Sequence, residues 1–574
     1  MSAAVPRAGA PAPARGASSP PGATLARLPP AWTIAAALAV VYLILAPASP
    51  DLAAASYRSS LFSSAGFTLW DNSWYGGHHL LAYSVLAPAL GTLIGPRLLA
   101  AISMVIATAL FASVIDGWLP TRATRIAAAW FALGASVALL SSRVPFDLGL
   151  AIGLGAVLAT RRRRLAIALA LSVLTALASP VAGAFLALAF LAWALAGPAR
   201  AWPAALTFAA LAPIALLTLA FPEGGSQPFV GSAFYPEVAG VLVILALIER
   251  EHRMLRIGVA LYALALAGSF VLSTAVGGNA DRLGALAAGP VAALALVCAS
   301  RWRRRALLVL APFLLYWQAN APVADYVSTL SNPSVEASYY TPLIGELHAL
   351  GVGYGARPAR IEVVATADHW EARFLAPHVM IARGWERQLD SDHNGVFYED
   401  RTLTPARYRA WLLNNAISYV ALPDAPLDYS ATAEARLLRG VHASAGDATG
   451  GNENRGTGGG DRNGNGASSY LREVWRSAHW RLFVVLGAQP LAQPPAMMTS
   501  LGSDSFTIAV PRAGSMTVRV RFTPYWAISS GRGCVREAPG GWTEVQVRHA
   551  GSMHVGIDFS LERVFDHGPR CRLG

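Results

Sequence analysis

FTLWDNSWYGGHHLLAYSVLAP, residues 67–88, lies between hydrophobic runs long enough to cross a bilayer. It packs an Asp, an Asn, two His, two Trp, two Tyr and a Gly pair into one short stretch, a polar and aromatic density that a mere connector does not need. The stretch reads as a site at a membrane face, and the runs on either side decide which face.

Those runs recur at 31–48, 97–118, 124–141, 147–160, 165–179, 181–198, 202–220, 236–249, 256–276, 282–300 and 305–320, about eleven in all. With 54% hydrophobic and 14% charged residues, the chain is wrong for a soluble globular protein and right for a polytopic membrane protein carrying a polar domain. The net charge of +12 comes entirely from Arg, and many of these arginines sit between apolar runs. That placement points to membrane topology and away from nucleic acid.

Charge also gives an orientation. With the N-terminus inside, alternate loops hold fourteen arginines, at 122, 125, 161–164, 200, 250, 253, 256, 301 and 303–305. The opposite loops hold only Arg58, Arg97, Arg143 and Arg282. The positive-inside rule therefore predicts a cytoplasmic N-terminus, and an odd number of spans puts everything after about residue 320 outside. The alternative for the first run is a signal peptide cleaved near APASPDLAAAS.

The expected organisation is a disordered cytoplasmic tail at 1–30 and a transmembrane core at 31–320 with a first external loop at 51–96. An exported α/β domain follows at 321–502, with a flexible loop at 446–467, and then a β-sandwich-like domain at 503–574. Strands are predicted at 361–365, 417–422 and 481–486, and helices at 405–415 after Thr404 and at 470–478. In the tail SFTIAV, MTVRVRF, TEVQVR and HVGIDFSL alternate apolar and polar, with turns at Ala513-Gly514 and Gly540-Gly541. Cys298 lies in an apolar run; Cys534 and Cys571 either pair in an exported domain or remain two free thiols.

Asp71 is the residue best placed for chemistry, as a carboxylate that takes a proton from an acceptor hydroxyl or binds a metal near a phosphate. Asn72, Trp74, Tyr75 and His78 surround it as candidate substrate contacts, with aromatic faces that suit sugars and the bilayer interface alike. The bland alternative is an interfacial loop with aromatic anchors and Asp71 as a cap. The pair His78-His79 lacks a nearby third ligand, so no metal ligands are assigned. Three further external loops carry Arg143 in SSRVPFD, Glu223 and Glu237 in residues 221–237, and Asp281 with Arg282. Arg143 is a guanidinium suited to a phosphate, although an ion pair with Asp147 is its ordinary role. HWEARF (369–374) and residues 383–400 read as an α/β surface packed on the membrane part, with Trp370, Trp385 or Trp526 as alternative carbohydrate contacts.

This organisation resembles the GT-C superfamily of polytopic membrane glycosyltransferases, which use polyprenyl-phosphate sugars. The resemblance is carried by LWDNSWYGG with Asp71, by YSVLAPALGTLIGPR as a counterpart of the family's Tyr-Pro-Pro-Leu stretch, and by the many-span core with a C-terminal exported domain. The chain also resembles bacterial membrane proteins labelled 6-pyruvoyl-tetrahydropterin synthase-related. Asn72 stands where the family often has a second acidic residue, and Ser84 where it has a Pro. The resemblance implies Asp71 as catalytic base, Arg143 or Arg282 on the donor phosphate, and a divalent metal as the one conceivable cofactor. It implies transfer from a lipid-linked sugar donor to a cell-envelope glycan or glycolipid on the extracytoplasmic face. The alternative is a non-catalytic envelope assembly protein, or a lipid-linked glycan transporter, on the same scaffold.

Overall fold

The computed structural model describes residues 29–572, apart from 199, 356–357, 400–402 and 442–468. The expected disordered tail, but for its last two residues, and the expected loop at 446–467 lie outside the described residues.

Each apolar run is occupied by a helix. In chain order these elements are α1 (Ala31–Leu45), α2 (Pro50–Ala65), the short strands β1 (Trp70–Asp71) and β2 (His78–His79), α3 (Ala87–Ile94), α4 (Pro96–Ile115), α5 (Thr121–Ala138) and α6 (Val144–Arg161). They continue with α7 (Leu165–Ala178), α8 (Pro180–Ala196), α9 (Ala201–Ala220), α10 (Gly231–Leu247), α11 (Arg253–Val271), α12 (Asp281–Leu296) and α13 (Arg301–Thr329). Proline opens α2, α3, α4, α6 and α8, where its fixed φ suits the first turn and its missing N–H costs nothing. Ile44, Leu264 and Val309 are 68–79% exposed, as residues facing lipid rather than water are.

The expectation of about eleven spans is not confirmed. Among the described residues six helices, α4, α5, α6, α9, α11 and α13, are long and apolar enough to cross, and the pair α1–α2 adds a seventh if taken as one broken span. The others are shorter: α7 has 14 residues, α12 has 16 and α8 and α10 have 17, roughly 21–26 Å of helix against a hydrocarbon core of about 30 Å. The first run ends early, because Ala46 takes a left-handed conformation and α2 leaves at 80° to α1. Ser49 Oγ donates to the carbonyl of Ser141 at 2.8 Å and fixes that bend. The chain is a multi-pass membrane protein.

Beyond α13 come α14 (Ala337–Ala349), β3 (Arg360–Val363), α15 (Glu371–Phe374), β4 (Met380–Ile381), α16 (Arg387–His393), α17 (Pro405–Asn414), β5 (Ile417–Pro423), α18 (Thr432–Arg439), β6 (Leu471–Arg476) and β7 (Trp480–Val485). The sheet order is β4-β3-β5-β7-β6, with β4, β3 and β5 parallel and β7 and β6 antiparallel. Every residue of β3 is buried, as both faces of a covered parallel strand should be. Thr404 caps α17 as expected, accepting from Arg407 N. The helix expected at 470–478 is instead the strand β6. Its alternate side chains point in and out, and it pairs with β7 with Arg476 opposite Arg481.

The last domain is a sandwich of β8 (Met497–Leu501), β9 (Ser505–Val510), β10 (Gly514–Arg521), β11 (Trp526–Ser530), β12 (Gly533–Ala538), β13 (Trp542–Val547), β14 (Gly551–Ile557) and β15 (Arg570–Arg572). Two four-stranded sheets, β10-β13-β12-β15 and β11-β14-β9-β8, enclose Phe506, Ile508, Val518, Val545 and Val555. The domain starts at β8, ahead of the expected boundary at 503. Gly540 and Gly541 turn the β12–β13 hairpin at positive φ, and Cys534 is disulfide-bonded to Cys571 across β12 and β15.

The C-terminal edge of the parallel strands faces the membrane helices. After β3, Asp368 accepts from Ser328 Oγ at 2.8 Å and Asn332 Nδ2 at 2.7 Å, and Trp370 Nε1 donates to the carbonyl of Ala48. After β4, Trp385 Nε1 donates to the carbonyl of Pro50. The edge where α/β folds place ligands is thereby laid on the α1–α2 bend.

Candidate functional site

Residues 67–88 fold back on themselves as the ribbon β1–β2, with Trp70 opposite His79 and Asp71 opposite His78. The turn needs its glycines: a Cβ on Gly77 would stand 2.3 Å from the Trp70 ring, and Gly77 sits at φ +128. Asp71 is fully buried. One carboxylate oxygen accepts from Tyr57 Oη at 2.8 Å and the other from Ser73 N at 3.0 Å. Burial raises its pKa above the ordinary value, against the lowering effect of the Ser73 and Tyr57 hydrogen bonds. Asn72 donates to the carbonyl of Gly502 and accepts from Trp70 Nε1, tying the loop to the sandwich.

Trp74 is fully buried between Tyr57 and His78, stacked on both. Tyr75 Oη donates to the carbonyl of Glu386 at 2.9 Å. Burial, then the nearby Arg58 charge, pushes the His78 pKa well down, so its imidazole is neutral. Ile381 N donates to the carbonyl of Ser73, so the loop also extends the α/β sheet at β4. The stretch is a clasp joining the membrane helices, the α/β sheet and the sandwich. Asp71, Asn72, Trp74, Tyr75 and His78 do not line the cavity described next.

A cavity of about 330 Å³ opens beside this clasp, at the helix ends under the α/β domain. All four polar loops reach it, through Tyr83, Arg143, Glu223 and Arg282 with Asn279. Glu386, Gln388 and Leu389 close it from the C-terminal end of β4. The third loop is held against α16, where a Cβ on Gly225 would meet the carbonyl of Gln388 at 1.9 Å.

The charges of the cavity are unevenly paired. Arg143 Nε donates to Asp51 Oδ2 at 3.3 Å, and its Nη2 stands 4.0 Å from Asp325; its partner is not Asp147. Among the described residues the guanidinium of Arg282 makes no hydrogen bond and no ion pair; it lies over the Phe146 ring at 5.7 Å. Glu386 is ion-paired to Arg58, which packs over Tyr83 at 4.0 Å and Trp74 at 5.5 Å. Burial pushes the Glu386 carboxyl up to about 7, with Arg58 pulling it down and Glu223 pushing it further up. Glu223 stands 2.8 Å from His79 Nδ1.

Below the arginines the walls turn apolar. Val181 and Ala184 on α8 line the cavity, and Leu188 and Ala192 continue the same helix face into a second, apolar cavity of about 200 Å³. Leu283 and Ala287 of α12, directly after Arg282, line that lower space. The arrangement is a charged head above a hydrocarbon-lined slot. Among the described residues no group of three or more His, Cys, Asp or Glu is placed to hold a metal ion, so no step is derived through one.

Of the expected site residues, Arg143, Glu223 and Arg282 come together. Sequence reading missed Asp51, Tyr83 and Glu386. Glu386 follows a parallel strand, a position that marks ligand sites in α/β folds, and that signal was available. Glu237 is buried on α10 and Trp526 in the sandwich core. Trp370 and Trp385 hold the domain interface, Trp370 buried and Trp385 half-buried.

No family model and no curated protein matches the chain. Solved structures similar to it include the arabinofuranosyltransferase AftD from Mycobacteria, with 13% identity, 92% of this chain and 57% of that chain covered, and a TM-score of 0.42. A mutant of AftD gives 16%, 84%, 43% and 0.40. The archaeal oligosaccharyltransferase AglB from Archaeoglobus fulgidus, in complex with an inhibitory peptide and a dolichol-phosphate, gives 14%, 68%, 69% and 0.41. The chain spans about half the length of the arabinofuranosyltransferase it matches. Likeness at this level leaves the chemistry to be argued from the residues.

Proposed function

We propose that this protein is a membrane glycosyltransferase of the GT-C kind, moving a sugar from a polyprenyl-phosphate donor to a cell-envelope glycan or glycolipid on the extracytoplasmic face. The observation that carries the reading is Arg282, unpaired beside Arg143 at the head of an apolar slot. A half-buried guanidinium with no hydrogen bond or ion pair of its own among the described residues has donors to spare, and a phosphate carrying a long hydrocarbon chain satisfies both the arginines and the slot. The face follows from the arginine asymmetry of the loops.

In this reading the donor phosphate lies on Arg143 and Arg282, with Asp51 orienting Arg143. The acceptor hydroxyl attacks the anomeric carbon as the Glu386 carboxylate takes its proton. The bond from that carbon to the phosphate oxygen breaks, and the arginines stabilise the departing lipid phosphate, so configuration inverts.

The test uses full-length protein in nanodiscs, with polyprenyl phosphate binding followed by native mass spectrometry and sugar transfer by product analysis. Arg282→Gln should weaken lipid-phosphate binding at least tenfold, and Glu386→Gln should abolish transfer while leaving binding intact. Equal binding by wild type and Arg282→Gln would sink the reading. Binding without transfer in the wild type would favour the transporter or assembly protein instead.

A further inference from the structure

DFSLERVFDHG, residues 558–568, leaves the sandwich after β14 and returns to the membrane helices. Tyr525 Oη donates to the carbonyl of Ala220, the last residue of α9, at 2.5 Å. The Phe559 ring lies 5.0 Å from Tyr525 and 5.6 Å from Phe221. The chain then passes through a single 3-10 turn, Glu562–Val564, with Leu561 and Phe565 on either side, 76% and 77% exposed. On the last turn of α9, Leu216 and Leu219 are exposed as well, on a helix long and apolar enough to cross the membrane.

The turn is held rigidly. Arg563 is buried beneath it, its Nε donating to the carbonyl of Pro524 at 3.0 Å, Nη2 to the carbonyl of Gly568 at 2.7 Å, and Nη1 to Asp566 at 2.9 Å. An arginine buried to display two large apolar side chains outward is an arrangement that water does not reward. Of the neighbouring carboxylates, Asp566 is paired with Arg563 and Asp558 with Arg570, and Glu562 in the turn is exposed.

We propose that Phe559, Leu561 and Phe565 insert into the surface of the bilayer that α9 crosses, as a lipid anchor for the sandwich domain. The occupant is lipid because the patch continues the lipid-facing last turn of α9 through Phe221 and Ala220. Residues 558–568 hold no lysine and their one arginine, Arg563, is buried, so insertion is apolar and needs no anionic headgroup.

Full-length protein carrying Cys298→Ser, reconstituted in nanodiscs of neutral phosphatidylcholine, tests this with a nitroxide at Leu561→Cys or Phe565→Cys. References are Leu216→Cys on α9 and Ser552→Cys near the far end of β14, roughly 20 Å along the strand. Collision with oxygen reports lipid and collision with a water-soluble nickel chelate reports water. Labels at 561 and 565 should favour oxygen over nickel several-fold, like 216 and unlike 552. Nickel access matching that at 552 would overturn the proposal. So would shielding from both reagents, which would mean a protein partner, or insertion only when anionic lipid is added.

Discussion

The clasp at residues 67–88 and the cavity beside it are both buried and both rich in polar groups, yet they treat those groups in opposite ways. In the clasp most polar atoms find protein partners, Asp71 with Tyr57 and Ser73, Asn72 with Trp70 and Gly502, Tyr75 with the Glu386 carbonyl, and His78 Nε2 is left without a hydrogen bond. In the cavity the guanidinium of Arg282 has no hydrogen-bond or ion-pair partner among the described residues. A satisfied polar network specifies a fold; unspent donors facing an open space are what a ligand uses. Density of polar residues in a sequence does not separate the two cases.

The largest effects should fall on opposite properties in the two regions. Arg282→Gln should cut transfer by roughly 10²–10³-fold with an unchanged melting transition, and Glu386→Gln should cut it at least as far. Trp74→Ala should cost about 3–5 kcal/mol of stability, because its ring is stacked on Tyr57 and His78 and fully buried. Unfolding followed by differential scanning, beside specific activity of the surviving folded fraction, reads both. Asp71→Asn comes next: about 1–3 kcal/mol lost through the Tyr57 and Ser73 hydrogen bonds, with activity per folded molecule kept. A folded but inactive Asp71→Asn protein would return the base to the first loop and dissolve the contrast.

How much of this was legible in the sequence follows from the length scale of each signal. The eleven helical runs, Thr404 as a cap and strands such as SFTIAV depend on neighbours a few residues apart, and the structure has them. The span count is the part the helices do not confirm, because an apolar run of 14–17 residues carries the composition of a span at or below its usual length. Residues 470–478 were misread because the partner that makes them a strand is β7, and local periodicity does not include it. The cavity joins Tyr83, Arg143, Arg282 and Glu386, separated by up to three hundred residues of chain. Arg143 and Arg282 were found because a charge in an otherwise poor external loop stands out. Glu386 was not, because its segment is crowded with charges and only its place after β4 distinguishes it.

The smallest effect is a shift in pH dependence, and it discriminates most finely between the two regions. The Glu386 carboxyl lies at about 7 in the folded protein against an ordinary 4.5, so the fold favours its neutral form. Stability from this group is therefore fully present below about pH 4.5 and lost as pH rises towards 7, a slope that Glu386→Gln should remove from the melting temperatures. Activity should run the other way, rising through pH 7 as the base deprotonates. Arg58 lowers this pKa and Glu223 raises it. Arg58→Gln should accordingly move the acid limb of kcat/KM upward by roughly one unit, and Glu223→Gln should move it downward by less. Asp71→Asn should leave the limb where it is. A limb that follows Asp71 and ignores Arg58 and Glu223 would place the titrating base in the clasp and reverse the assignment of the two regions.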